Sequence, residues 1–505
     1  MFVRQNKMGR RLVGLLQMAL IMVGRVVVYI VSYIVFGVLD LLDPVLCVVY
    51  KMIDYLVEAE WKPCYCFSTQ EDCSSRSRRS ILVNSPEGKT KIVCHCLTKV
   101  QMEDISDTLY SRKPLFRELV MSTVFCIKKL RVFKANPAAV LNPNNQRLRT
   151  ATLKPAFAVN SSTIVESLQG HKGQLQAPVS PRWSDCDCPT CASWHSSCKE
   201  TLFFTVEGKG SEIFDVPQDN KHFKAGASDV IFIHGFISSS TFWTETVFPN
   251  FSELTKSKYR LFAVDLLGFG RSPKPTDSLY TLTEHVDMIE RSIMRPHRIK
   301  SFHVVAHSLG CIIALALAAR YPGAVSSLTL LAPPYFPVPC GVEGSDFVLR
   351  QLAPKKVWPP IAFGASIASW YEHVSRTVCL LICKQHRFWD FIARQITRNR
   401  IRTFLIDGFM CHTHHAAWHT LHNVICGTAN KMDAYLDLVR KQEACKVTVF
   451  HGRDDELLPA KCSEDLKCKI PRARVKIIEK TDHITIVVGR QKIFARELEE
   501  IWKEK

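Results

Sequence analysis

At 505 residues, with 47% hydrophobic and 22% charged side chains, the chain exceeds a single domain of about 100 to 200 residues and is too apolar to be disordered. Its 66 Lys and Arg against 47 Asp and Glu give a net charge of +19, which favours an anionic surface such as phospholipid headgroups, acidic polysaccharide or nucleic acid. Charge alone does not choose among anionic partners.

Residues 1–60 read as membrane-directed. Arg4, Lys7, Arg10 and Arg11 precede an almost wholly apolar run over residues 12–39 whose only charge is Arg25 and which is followed by Asp40 and Asp43. About twenty apolar residues cross a bilayer, but an arginine at its centre costs about 2.5 to 3.5 kcal/mol on insertion scales. Three readings follow: a secretory signal that uses one apolar half, an uncleaved anchor, or an interfacial helix with Arg25 reaching back to the headgroups. Secretory targeting is favoured. No small-residue cleavage site follows the run, so a retained anchor stays open. The basic front keeps the N-terminus cytosolic and sends the rest of the chain to the lumenal or outer side. Cys47 offers a lipidation site but reads more simply as a small residue in an apolar stretch.

Residues 61–199 form a basic, Cys-rich extension. Between residues 112 and 154, Lys128, Lys129, Arg131, Lys134, Arg147 and Arg149 accompany a single carboxylate, Glu118. Such a stretch suits an anionic membrane or cell-wall polymer, and equally a solvated face. Asn142-Pro143-Asn144-Asn145 marks a loop. Cys188-Pro189-Thr190-Cys191, with Cys186, His195 and Cys198 around it, has the spacing of a zinc knuckle. A disulfide cluster is the competing reading, favoured because the N-terminus argues for an oxidising compartment, and unpaired thiols are the third. Asn160-Ser161-Ser162 and Asn250-Phe251-Ser252 are sequons compatible with secretion.

Residues 200–505 carry the strand and helix alternation of a mostly parallel sheet flanked by helices, with residues 335–435 inserted as a helical cap. Residues 229–233 make a buried strand ending in His234-Gly235-Phe236. The glycine allows a sharp turn that aims the Phe236 N–H into the site as an oxyanion donor, while His234 reads as structural. Gly268-Phe269-Gly270-Arg271-Ser272 has neither a P-loop lysine nor dinucleotide-site spacing, and reads as a tight strand-to-helix connection.

The strongest signal lies at Ala306-His307-Ser308-Leu309-Gly310, where an apolar strand turns abruptly into an Ala- and Leu-rich helix. Small residues flank a nucleophilic serine there because strand and helix backbones come close, and Ala306 takes the place of the usual first glycine. The Leu309 N–H becomes the second oxyanion donor. A serine nucleophile needs a base, and the base needs a carboxylate to fix its tautomer. Both follow in the chain. Asp455 stands three residues after Gly452 and four before Pro459, with Asp454 and Glu456 as fallback acids. His483 follows the last strand, with Asp482 shaping its loop. The order Ser, Asp, His belongs to the α/β-hydrolase fold, which residues 229–490 resemble. No cofactor and no catalytic metal are expected. His412, His414, His415 and His419 have metal-like spacing but read as cap surface.

Trp358, Phe363, Trp370, Phe388, Trp389, Phe404 and Phe409 make the cap greasy enough for an acyl chain, though such residues also build a cap core. Together with Ala306 to Cys311 and the Cys186 to Cys198 cluster containing Trp194, this architecture resembles the plant BODYGUARD family of lysophospholipase-like hydrolases. The resemblance implies a lipid or fatty-acyl ester substrate, a place at the plasma membrane or in the epidermal cell wall, a part in cutin and cuticle formation, and no nucleic-acid partner. Two other readings stay open: an acyltransferase that passes the acyl group to a fatty hydroxyl, and a ligand receptor built on the hydrolase fold. Oligomeric state leaves no trace in the sequence.

Overall fold

Alternation along each strand decides what lies on either face of the central sheet. In the strand Ser228–Ile233, Ile231 and Ile233 enter one hydrophobic core while Val230 and Phe232 enter another, and all four are fully buried. A period of two with both faces apolar marks a strand covered by helices on both sides. The structure is a computed structural model and describes residues 2–58, 80–84, 90–94, 106–110, 183, 185–189, 191–192, 200–208, 228–276, 278–397 and 403–503. The basic stretch after residue 112, the Asn160 sequon, Trp194, His195 and Cys198 lie outside the described residues.

β1 (Ser80–Asn84) and β2 (Thr90–Cys94) pair antiparallel by themselves. The main sheet holds β3 (Phe204–Gly208), β4 (Ser228–Ile233), β5 (Tyr259–Val264), β6 (Phe302–His307), β7 (Val325–Leu331), β8 (Lys446–Gly452) and β9 (Arg474–Ile478), in the order β3-β5-β4-β6-β7-β8-β9. Only β3, on the edge, runs antiparallel. From β4 the chain moves outward to β5 and then returns to the other side as β6. The crevice beyond the C-terminal ends of β4 and β6 is therefore a switch point, the usual ligand position in such sheets.

Helix Leu309–Arg320 is buried over its first ten residues, as expected of a helix apolar on every side. Helices Leu282–Ile289 and Ala429–Lys441 share its core, and Gln491–Lys503 covers the opposite face with Phe494, Leu498 and Trp502. Between β7 and β8 the chain builds helices Gly344–Leu352, Pro360–Trp370, Glu372–Leu381, His386–Thr397, Thr403–Met410 and His414–Thr420. Gly408 sits against Ser238 and Ser239, so Thr403–Met410 lies directly on the loop that follows β4.

Phe2–Glu58 is one continuous helix, and Met22–Glu58 is long and apolar enough to cross a membrane, with a mean hydropathy of 2.1 over its most apolar 18-residue window. Its polar residues fasten it to the cap. Asp43, buried, accepts hydrogen bonds from His373 N and Val374 N at 3.0 Å each, capping helix Glu372–Leu381. The Tyr371 hydroxyl donates to Asp40 at 2.8 Å, and Arg376 binds both oxygens of Asp54 at 2.6 and 2.8 Å. Phe36 stacks on Tyr371, and Trp183 of the extension lies against Tyr50 and Arg376. Cys47 is fully buried, which agrees with its reading as a packing residue. Leu41, Val45, Met52 and Leu56 stay exposed.

Candidate active site

Ser308 occupies φ 51°, ψ −119°, a backbone conformation that side chains rarely adopt, at the junction of β6 and its helix. Its N–H donates to Leu331 O at 2.8 Å, and its carbonyl accepts from Cys311 N at 2.9 Å. Gly310 is required by contact: a Cβ there would stand 2.7 Å from both His234 O and Ile233 O. Two residues before the serine, the Ala306 methyl is fully buried, opposite Ile233 on β4 and Leu330 on β7. Gly235 lies against the serine itself, where a Cβ would come within 2.9 Å of His307 Nδ1 and 3.2 Å of Ser308 Cβ. The loop carrying Phe236 is thereby pressed onto the serine turn.

His234 is buried and bridges that loop to the end of β5. Its Nδ1–H donates to Gly235 O at 2.7 Å and its Nε2 accepts from Leu266 N at 2.9 Å. Burial keeps the ring neutral by lowering its pKa. Asp265 ties the next turn together, accepting from Ser240 N at 2.5 Å and Arg271 N at 2.8 Å. Gly268 and Gly270 adopt φ of 89° and 53°, so this segment is a tight turn, as its sequence suggested.

The carboxylate and the imidazole sit on adjacent strand ends. His483 Nδ1–H donates to Asp455 Oδ2 at 2.7 Å, while Asp455 Oδ1 accepts from Leu457 N and Leu458 N at 2.9 Å each. His451, at the end of β8, places its Nε2–H 2.8 Å from Leu458 O and 3.5 Å from Asp455 Oδ2. Burial pushes the Asp455 pKa upward, but the hydrogen bonds from His451 and His483 outweigh it and hold the carboxyl well below the usual carboxylate range. The two loops are laced by Asp454 N to Thr481 O and Arg453 N to Ile478 O, both at 2.9 Å. Asp482 Oδ1 accepts from Ile484 N and Thr485 N, which closes the turn bearing His483. His307 stacks on Phe242 and donates from Nε2 to His483 O at 2.9 Å. Burial and the neighbouring His483 push its pKa down to about 3.

The α/β hydrolase fold family model matches residues 230–489. The probable lysophospholipase BODYGUARD 1 of Arabidopsis thaliana is 52% identical over 94% of this chain and 96% of its own length, and BODYGUARD 3 is 53% identical over 94% and 95%. The chain belongs to the BODYGUARD family of α/β-hydrolases. A 2-hydroxymuconate semialdehyde hydrolase of Pseudomonas sp. (strain CF600) is 28% identical over 53% of this BODYGUARD-family chain and 84% of its own. Among solved structures, the enol-lactonase from Burkholderia xenovorans LB400 covers 60% of this chain and 96% of its own, at a TM-score of 0.41 and 16% identity.

In this BODYGUARD-family chain, Ser308, Asp455, His483 and Phe236 stand in turns and loops, and Leu309 at a helix start, at the C-terminal edge of one sheet. His451, His307 and Asp265 hold those loops and carried no role in the sequence reading. Their signal is placement at strand ends, where a buried polar side chain has backbone to bind. A cavity of about 510 Å³ lined by Glu443, Arg472 and Arg474 lies at the opposite edge, where β8 and β9 begin.

Two expectations change. Cys186, Cys188 and Cys191 are free thiols and not disulfides, and they gather around His386 of the cap. The four cap histidines are not a common surface: His419 is buried, His415 bonds Ser278 O, and His412 joins Cys379 and Cys383.

Proposed function

We propose that this protein is a serine ester hydrolase acting on lipid or fatty-acyl esters, with Ser308 as nucleophile, His483 as base and Asp455 as its orienting carboxylate. The observation that carries the proposal is the 2.7 Å bond from His483 to an ionised, fully buried Asp455, with His483 O bound at 2.9 Å by His307, the residue before the strained turn of Ser308. His483 Nδ1 is committed to the carboxylate, so Nε2 is left to take the Ser308 hydroxyl proton. The alkoxide attacks the acyl carbonyl, and the oxyanion is held by the N–H groups of Phe236 and Leu309. His483 returns its proton to the departing alcohol, leaving an acyl-enzyme. Water, deprotonated by the same imidazole, then releases the acid and restores the serine.

The substrate class rests on the relatives named probable lysophospholipases and on the apolar cap. The family resemblance extends it to cutin and cuticle formation at the epidermal surface. The N-terminal helix serves as a retained membrane anchor, with residues 12–31 in the bilayer and the following residues fixed to the cap. Over twenty residues at 1.5 Å each the insert spans about 30 Å, and Arg25 then lies toward its outer half, where its side chain reaches the headgroups.

The test is labelling of the full chain by a fluorophosphonate probe, followed by product analysis with lysophospholipid, monoacylglycerol and hydroxy-acyl ester substrates. Labelling abolished by Ser308→Ala and release of free fatty acid support the proposal. A folded wild-type protein that takes up no probe rules it out. Transfer of the acyl group to an added fatty alcohol in preference to water would make the enzyme an acyltransferase.

A further inference from the structure

Away from the serine turn, a second group of reactive side chains converges from distant parts of the chain. Cys186, Cys188 and Cys191 come from the extension and His386 from the cap, almost two hundred residues away, yet their four ligand atoms all lie within 4.8 Å of one another. We propose that these four residues bind one zinc ion that clips the extension to the cap.

The distances fit the ion. His386 Nδ1 stands 3.6 Å from Cys188 Sγ and 3.6 Å from Cys191 Sγ. Zinc bound tetrahedrally, with Zn–S about 2.3 Å and Zn–N about 2.0 to 2.1 Å, separates sulfur from nitrogen by about 3.5 to 3.6 Å. The turn is shaped for thiolate as well: Cys191 N points at Cys188 Sγ at 3.5 Å. Across the imidazole, His386 Nε2 lies 3.3 Å from Asp407 Oδ1, the carboxylate that fixes ring and tautomer behind a ligating histidine. Cys186, Cys191 and His386 are buried. Four protein ligands leave no open position, so the site is structural. A disulfide would use two of the thiols and leave the third, with the oriented imidazole, without a purpose. Binding transfers three thiol protons to solvent as three thiolates and one neutral imidazole take the ion.

The position gives the ion leverage on the catalytic edge. Cys191 Sγ is 3.8 Å from Cys411 Sγ, and Cys411 O accepts from Gly270 N at 3.1 Å. Gly270 packs on Asp265, which also holds Ser240 in the loop after Phe236. The clip therefore bears on the oxyanion loop through three intermediate residues, Cys411, Gly270 and Asp265.

The test uses the full chain, purified without chelator. Metal analysis is expected to find one equivalent of zinc fewer in Cys188→Ser and in His386→Ala than in wild type or in Cys340→Ser, whose cysteine is exposed and belongs to neither ligand cluster. Taking the difference discounts any ion held by Cys379, Cys383 and His412. Equal zinc in all four proteins overturns the proposal. Should the variants fail to fold, residue-resolved alkylation of wild type decides the matter. Cys186, Cys188 and Cys191 are expected to resist a maleimide until zinc is stripped, and then to react as free thiols. Shielding that is unchanged once metal analysis shows the zinc gone overturns it, as does a mapped disulfide between any two of the three.

Discussion

Gly452→Ala probes how closely the proposed acid Asp455 and the proposed base His483 depend on each other. A Cβ at this position would stand 2.4 Å from Thr481 O and 2.8 Å from Asp482 O, whereas ordinary contact begins at 3.4 Å. The backbone two residues before His483 must then retreat by about 1 Å, against the two hydrogen bonds that lace it to the Asp455 loop. A misplacement of about 1 Å in a catalytic group costs about 100-fold in rate, and forcing a methyl into a packed site costs about 1 to 3 kcal/mol of stability. The assay is kcat/KM on a chromogenic short-chain ester, beside the rate of fluorophosphonate labelling and the melting temperature. Gly364→Ala is the control, because nothing lies within 4 Å of its added methyl and it sits inside a helix. Catalysis there should be unchanged and stability raised by up to about 1 kcal/mol. The reasoning is refuted if Gly452→Ala keeps its melting temperature and stays within threefold of wild-type kcat/KM.

Asp455→Asn should lower kcat by about 10³- to 10⁴-fold with little change in KM, since the amide cannot fix the required tautomer of His483; steady-state kinetics at pH 8 measures it. Acidification should destabilise the fold. Burial pushes His285 and His307 down to about 3, against about 6.5 in the unfolded chain, so between those values only the unfolded state takes up the protons and stability rises with pH. At pH 5 each ring then costs about 2 kcal/mol relative to pH 7. Urea unfolding at the two pH values should show the midpoint falling, and a constant midpoint would contradict the burial argument. Asp43→Ala leaves two buried N–H groups of the cap without their acceptor, at a cost of about 1 to 3 kcal/mol. Hydrogen exchange should quicken in residues 371–381 while the central sheet stays protected.

What could be read along the chain was what local spacing encodes. The apolar runs before Gly235 and Ser308 announce strands covered on both faces, and Gly452 with Pro459 singles out Asp455 among three neighbouring acids. Contacts between distant segments leave no such trace. His307 looks like one more strand residue until folding sets its ring against His483, 176 positions later. His386 belongs to an apolar, basic cap helix with nothing to link it to Cys188, 198 positions earlier. Asp40, Asp43 and Asp54 resemble the ordinary polar flank and spacing of a membrane segment, because a hydropathy profile does not register which polar group will find a backbone to cap.

The union of Asp43, Asp40 and Asp54 with the cap bears on how the chain can be matured or trimmed. Removal of a leader anywhere beyond Phe36 would take away a buried ring that packs on Tyr371 and Val374 of the cap, and removal beyond Asp54 would strip helix Glu372–Leu381 of its cap and leave Arg376 without this carboxylate. Processing consistent with this packing ends before Ser32, whose hydroxyl accepts from Val357 N, or does not occur. A truncated catalytic half beginning near residue 200 would expose Tyr371 and Val374, so poor solubility of such a fragment would reflect a missing piece of its own lid and not a fault in the hydrolase core.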